Sequence, residues 1–162
     1  CGGMKVHVPP VVIAGLAFAA QRWVAPRRPS RLRRAAAVVT ASAAAGFGVS
    51  GVLAFAKHGT TVDPLDPSRA STLVADGPYS VSRNPMYVAL VGALGAHALW
   101  RGNALAGAPI LAAWIALDRL QIGPEERALA VLFGDEYVCY CDRVPRWIGW
   151  PQGSKGTPRA PS

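Results

Sequence analysis

Polar groups able to do chemistry gather in two places in this 162-residue chain. The first stretch ends in Arg83-Asn84-Pro85-Met86-Tyr87. The second opens on Glu125-Glu126 and runs on through Tyr137, Arg143 and Arg146. Two adjacent carboxylates with few counter-charges can hold a cation or hydroxyl groups, or can simply complement the dipole of a helix that starts at Pro124. Arg143 and Arg146, close to Trp147 and Trp150, can fix an anionic group bidentately or anchor the chain among lipid headgroups. Asn84-Pro85 suits a helix N-cap followed by a first-turn proline. Tyr87, like Tyr137 and Tyr140, suits an interfacial aromatic anchor as well as a ligand contact. Cys1, Cys139 and Cys141 are too few and too badly spaced for a disulfide framework or a closed zinc site, so no metal is expected.

The elements that must position these groups are almost wholly apolar. Apolar residues make up 51% and charged ones only 16%, against roughly 25% charged in ordinary soluble domains. Mean hydropathy is +0.24. The 17 Lys+Arg and 9 Asp+Glu leave a net charge of +8, but the composition excludes a disordered basic tail, and no nucleic-acid partner is expected. The length suits one domain over residues 4–150. Cys1-Gly2-Gly3 ahead of Met4 read as an upstream addition, and residues 151–162 as a disordered Gly/Pro/Ser-rich tail.

Four apolar runs stand out, at residues 8–24, 35–56, 84–100 and 102–120. A helix needs about 20 apolar residues, within a range of about 17–25, to cross a hydrocarbon core of about 30 Å. A soluble bundle would need a polar coat, and this chain has nothing to make one from. The expected fold is therefore all-α, a multi-pass transmembrane bundle of about four spans with a C-terminal amphipathic helix at the membrane surface. The first run reads as a retained helix and not a signal peptide, because its arginine cluster follows it. Small residues four apart (Gly15/Ala19, Gly46/Ser50, Gly92/Ala96) predict close helix packing. His97, inside a span, is expected to be hydrogen-bonded between helices.

Only Arg101-Gly102-Asn103 separate the third and fourth runs, which forces an antiparallel hairpin. Its two arms, about 25 Å each at 1.5 Å per residue, bring the chain back to the face it left. Asn84 and Glu125, far apart in sequence, then share one mouth of the bundle.

The ordered set Gly77-Pro78-Tyr79, Arg83-Asn84-Pro85-Met86-Tyr87, a two-helix hairpin, Glu125-Glu126-Arg127-Ala128-Leu129 and Phe133-Gly134-Asp135-Glu136-Tyr137 resembles a known pattern. It is that of the integral membrane methyltransferases that include isoprenylcysteine carboxyl methyltransferase and the phospholipid methyltransferases. The resemblance covers about residues 60–147. It implies S-adenosylmethionine as methyl donor, held by Arg83, Asn84, Pro85, Tyr87, Glu125 and Glu126, with Tyr137, Arg143 and Arg146 at the acceptor. Many members carry His where this chain has Asn84, and Asn cannot titrate. No Gly-rich loop follows a strand, which excludes a Rossmann-type cofactor domain; a pocket has to be built from helix ends and loops.

With no base in view, the sequence leans towards a carboxylate acceptor on a lipophilic or prenylated molecule entering from the membrane lipids. Phospholipid N-methylation is the alternative. Two further alternatives are an NADPH-dependent membrane reductase of the sterol-reductase kind and a non-enzymatic scaffold whose basic loop binds anionic lipid. The densest basic cluster lies on the face opposite the mouth, but the mouth side carries 10 Lys and Arg against 7. The mouth is therefore expected to face the cytosol. Oligomeric state is not encoded in these features.

Overall fold

The computed structural model describes residues 8–58 and 72–149. The expectations for residues 151–162 and for most of the long polar loop lie outside the described residues. Helix α1 spans Pro10–Trp23, α2 Arg31–Lys57, α3 Pro85–Arg101, α4 Ala108–Ala116 and α5 Gly123–Arg143. Short 3-10 turns at Gly77–Ser80 and Ala104–Gly107 precede α3 and α4. No strand forms among the described residues.

Local chemistry sets the ends of these helices. Pro10 and Pro85 occupy first-turn positions where a missing N–H costs nothing. The Ser30 hydroxyl caps α2 by accepting from the Arg33 N–H at 3.2 Å. At the end of α3, Gly102 takes φ +67°, and a Cβ there would lie 2.7 Å from the Arg27 carbonyl oxygen. Only glycine fits that turn. Asn103 then caps the next turn through its side-chain oxygen and the Leu105 N–H, 3.1 Å apart.

The expected helix start at Pro124 is not a start. From Ala104 to Arg143 the chain is one 40-residue rod, and Pro124 lies inside it. The segment Leu117–Ile122 is a π-helical turn in which the Gly123 N–H reaches back five residues to the Asp118 carbonyl. The widened turn accommodates a proline ring that would otherwise strike the carbonyl four residues earlier. Glu125 and Glu126 therefore face no free helix N-terminus. Farther on, Gly134 kinks α5 at φ +51° and ψ −127°.

At 1.5 Å per residue α2 is about 40 Å long and the stretch from Ala104 to the Gly134 kink about 45 Å. These two helices are long and apolar enough to cross a membrane. Only 11% of the apolar window of α2 is buried within the fold, so its apolar side chains point outward, as they would towards lipid. That stretch alone exceeds a hydrocarbon core of about 30 Å. Its charge-free part ends at Leu117, and everything from Asp118 onward belongs to the mouth. Helices α1 and α3, at about 21 and 25 Å, fall short of a full crossing by length alone.

The helices alternate in direction. At one end the α1–α2 loop meets the α3–α4 connection. The Arg27 N–H donates to the Arg101 carbonyl at 2.9 Å, the Asn103 amide to the Ala25 carbonyl at 2.9 Å, and Arg33 to the Gly102 carbonyl at 2.8 Å. At the other end Gln121 reaches the Val8 carbonyl. The hairpin thus returns as the short connection required.

Close packing falls at one of the three expected small-residue pairs, Gly92/Ala96, and not at the glycines of the other two. Nothing lies within 4 Å of a Cβ built on Gly15 or Gly46. The tight α2–α3 contact is made at Gly92, where a Cβ would come 2.9 Å from Ala44 Cβ, and at Gly48, 3.0 Å from Ala89 Cβ. Gln21, fully buried, ties three helices together. Its amide donates to the Leu94 carbonyl at 3.0 Å and the Ala106 carbonyl at 2.9 Å. Its remaining oxygen lies 2.7 Å from His97 Nδ1, so that nitrogen carries the proton. His97 is the interhelical hydrogen-bonding residue expected.

Candidate active site

At the mouth the chain brings the two polar stretches into one cluster, and backbone bonds dock them. The Arg83 N–H donates to the Pro145 carbonyl at 3.0 Å. The Tyr140 hydroxyl donates to the Tyr79 carbonyl at 2.7 Å. Buried Ser82 accepts from the Asn84 N–H at 3.0 Å. Asn84 makes no side-chain cap on α3; its amide donates instead to the Arg146 carbonyl at 3.0 Å. The residue that sequence alone casts as a helix cap therefore fixes the return of the chain after α5.

Glu126 sits between two guanidinium groups, Arg83 at 3.1 Å and Arg146 at 2.5 Å. Arg146 also reaches both oxygens of Asp118 at 3.3 Å, and Asp118 accepts from the Trp147 indole N–H at 2.9 Å. The Arg146 pKa is raised, first by the hydrogen bonds it donates to Glu126. Arg83 also approaches the Cys141 sulfur, while its Nε, buried, has no partner among the described residues. Two cations and two anions make this ring of side chains electrically neutral.

Glu125 differs from its neighbour. Its one side-chain bond among the described residues is to the Tyr87 hydroxyl, and Tyr87 is itself buried. Burial pushes the Glu125 carboxyl up to about 7; the Tyr87 bond opposes the rise and the charge of Glu126 adds to it. A carboxyl held near neutrality can exchange a proton at physiological pH, which an ordinary surface glutamate does not.

The structure gathers Arg83, Asn84, Tyr87, Glu125, Glu126 and Arg146 into this cluster, with Pro85 opening α3 beside it. Tyr137 is buried against Tyr140, ring centroids 6.1 Å apart. Its pKa is raised by burial first and then by the charge of Glu126. Arg143 stands apart: it is exposed and bonds back to the Cys139 carbonyl of its own helix at 3.2 Å. Sequence reasoning missed Asp118 and Trp147. The signal for Asp118 was there, since it is the sole acid between Asp76 and Glu125 and ends an apolar run. Cys141, which the sequence marks only as unsuited to a disulfide framework or zinc site, touches Arg83.

An outward-facing apolar helix, a 40-residue rod and an ionic cluster where they emerge define a helical membrane protein with a polar site at its mouth. The chain belongs to the phospholipid methyltransferase family, whose model matches residues 32–136, and is thus a membrane methyltransferase. It is also 40% identical over 63 residues to an uncharacterized protein of Haemophilus influenzae, covering 39% of this chain and 100% of that protein. No solved structure matches. The family implies S-adenosylmethionine, and the cluster fits it. The unpartnered Arg83 Nε is a buried donor waiting for an acceptor, and the donor molecule carries a carboxylate and ribose hydroxyls.

Proposed function

We propose that this protein transfers a methyl group from S-adenosylmethionine to the amine of a phospholipid headgroup at the membrane surface, with Glu125 as the base. The observation that carries the acceptor class is the contrast between the two glutamates. Glu126 and Asp118 occupy Arg146, leaving it no fork free for a carboxylate acceptor. Glu125, bonded to a phenol alone, is free to take a proton. A headgroup amine is an ammonium ion at neutral pH and must lose a proton before its lone pair can attack.

When bound, S-adenosylmethionine supplies an electrophilic methyl group on its sulfonium sulfur. Arg83, Asn84 and Glu126 are the residues that would hold it, Arg83 through its orphaned Nε. Glu125, as the carboxylate held by the Tyr87 hydroxyl, takes the proton from the ammonium and becomes the neutral acid, freeing the amine lone pair to attack. Positioning supplies the rest of the rate. All four apolar runs lie in the bilayer, with α1 and α3 completing their crossings through flanking residues and local thinning, and the mouth opens to the cytosol where the methyl donor is made.

A carboxylate acceptor, with the exposed Arg143 as its anchor, is the second reading; Arg143 has no acidic partner among the described residues. The deciding experiment offers purified protein in lipid nanodiscs a labelled methyl donor and either phosphatidylethanolamine or a prenylated carboxylic acid. Label is expected in the phospholipid. Label in the acid alone overturns the amine assignment.

A further inference from the structure

The end of the molecule opposite the site is positive throughout. Arg27, Arg28, Arg31, Arg33 and Arg34 lie in or beside the α1–α2 loop, with Arg22 and Arg101 at the neighbouring helix ends. The first acidic residue of the chain is Asp63, and none occurs between Asp76 and Asp118. Among the described residues, none at this end neutralises these charges. Arg101 and Arg33 donate hydrogen bonds to the carbonyls of Val24 and Gly102, which leaves their charge in place. Arg31 and Arg34 are exposed and enter no ion pair among the described residues.

Beneath them a groove of about 510 Å³ runs between α2 and α3. Its α2 wall includes Ala37, Ala41, Ala45 and Gly48, which with Arg34 recur three or four apart and so share one helix face. From Ala37 to Gly48 the groove is about 17 Å long, about half of a 30 Å hydrocarbon core. That is the depth of one leaflet. At the arginine end stands Trp100, 54% exposed, in the place of an interfacial aromatic. Groove, aromatic and arginines thus follow the order of tail, interface and headgroup in a single lipid.

We propose that this groove holds one acyl chain of an anionic phospholipid whose phosphate is bound by Arg31 and Arg34. A second copy of this chain is a poor occupant, because the same uncompensated arginines would face each other. A neutral lipid would fill the groove but leave the charges unanswered. The bound lipid sits at the opposite end from Glu125 and is not the methyl acceptor, so the site stands whatever the reaction proves to be.

Native mass spectrometry on the full detergent-purified chain tests this, using phosphatidylglycerol and phosphatidylcholine with identical acyl chains. At about fivefold per arginine, the anionic lipid should bind about 30-fold more tightly. Arg31→Gln with Arg34→Gln should erase that preference, weakening phosphatidylglycerol far more than the zwitterionic phosphatidylcholine. Ala41→Phe, or Val38→Phe at the exposed rim should the first not fold, should weaken both lipids, and glycerol phosphate should not compete. Equal binding of the two lipids by the wild type, or a preference that survives the double arginine change, overturns the proposal. So does a blocked groove that still binds phosphatidylglycerol, effective competition by glycerol phosphate, or a dimer that Ala41→Phe dissolves.

Discussion

Replacing Glu125 by Gln keeps the shape of the side chain and its bond to Tyr87 but removes the proton acceptor. An ordinary glutamate, with a pKa of about 4.3, would take a proton from an amine of about 10.4 at a cost of about 8 kcal/mol. Raised to about 7, Glu125 faces a mismatch of about 5 kcal/mol. In a series of methylation rates against pH, the wild-type kcat/KM should rise about tenfold per pH unit below 7, where the carboxyl is still protonated. It should then level off until the amine itself titrates. Glu125→Gln should lose about 10²- to 10⁴-fold at pH 7. Its rate should climb steadily to high pH, as the free amine forms without help. Stability follows the opposite course. The folded pKa lies above the unfolded one, so the contribution of Glu125 is present below about pH 4.5 and is lost as pH rises through 7. At pH 8 the Gln variant should be the more stable by up to about 3 kcal/mol, and at pH 4 the two should melt alike. A variant with wild-type kcat/KM at pH 7, or a wild-type profile without an inflection near 7, refutes the assignment of Glu125 as base.

Other expectations follow from the same geometry. Arg146→Met removes the cation that Glu126 and Asp118 share and leaves Arg83 as the partner of Glu126; because Arg146 is partly exposed, the loss on thermal unfolding should be about 1–3 kcal/mol, and Arg143→Met should be near neutral. Gly92→Ala should cost about 1–3 kcal/mol by pressing on Ala44, and adding Ala44→Gly should restore much of it in a double-mutant cycle. A cysteine placed at Arg28 should be labelled from the membrane side opposite to that which labels the native, exposed Cys139; labelling from one side would end the four-crossing topology.

Element type and order were legible in the sequence because in this chain apolarity and helix coincide. The runs at 35–56 and 84–100 lie within or nearly within α2 and α3, and the three-residue connection dictated the meeting of the two polar stretches. Helix ends inside the fourth run were not legible. Proline followed by two acids is the usual mark of a helix start, and a π-turn that lets the helix pass through it leaves no trace in composition. The same holds for Asn84, whose N-cap signature is local while its actual bond, to the Arg146 carbonyl, spans 62 positions. Six of the expected site residues came together because they lie on segments that the hairpin must join. Arg143 and Arg146 could not be told apart, since α5 ends at Arg143 and it is the non-helical return of the chain beyond it that turns Arg146 inward. Small-residue spacing marked packing but not its face, so Gly48 stayed hidden behind Gly46.

The claim that the Arg83–Glu126–Arg146 cluster is the methyl-donor site is tested most directly by calorimetry with S-adenosylhomocysteine on purified protein. The wild type should bind it. Arg83→Met, with folding confirmed by circular dichroism, should weaken binding by about 10- to 150-fold, the worth of a charged hydrogen bond of about 1.5–3 kcal/mol. A folded Arg83→Met variant that binds as tightly as the wild type, or a wild type that does not bind at all, would contradict it.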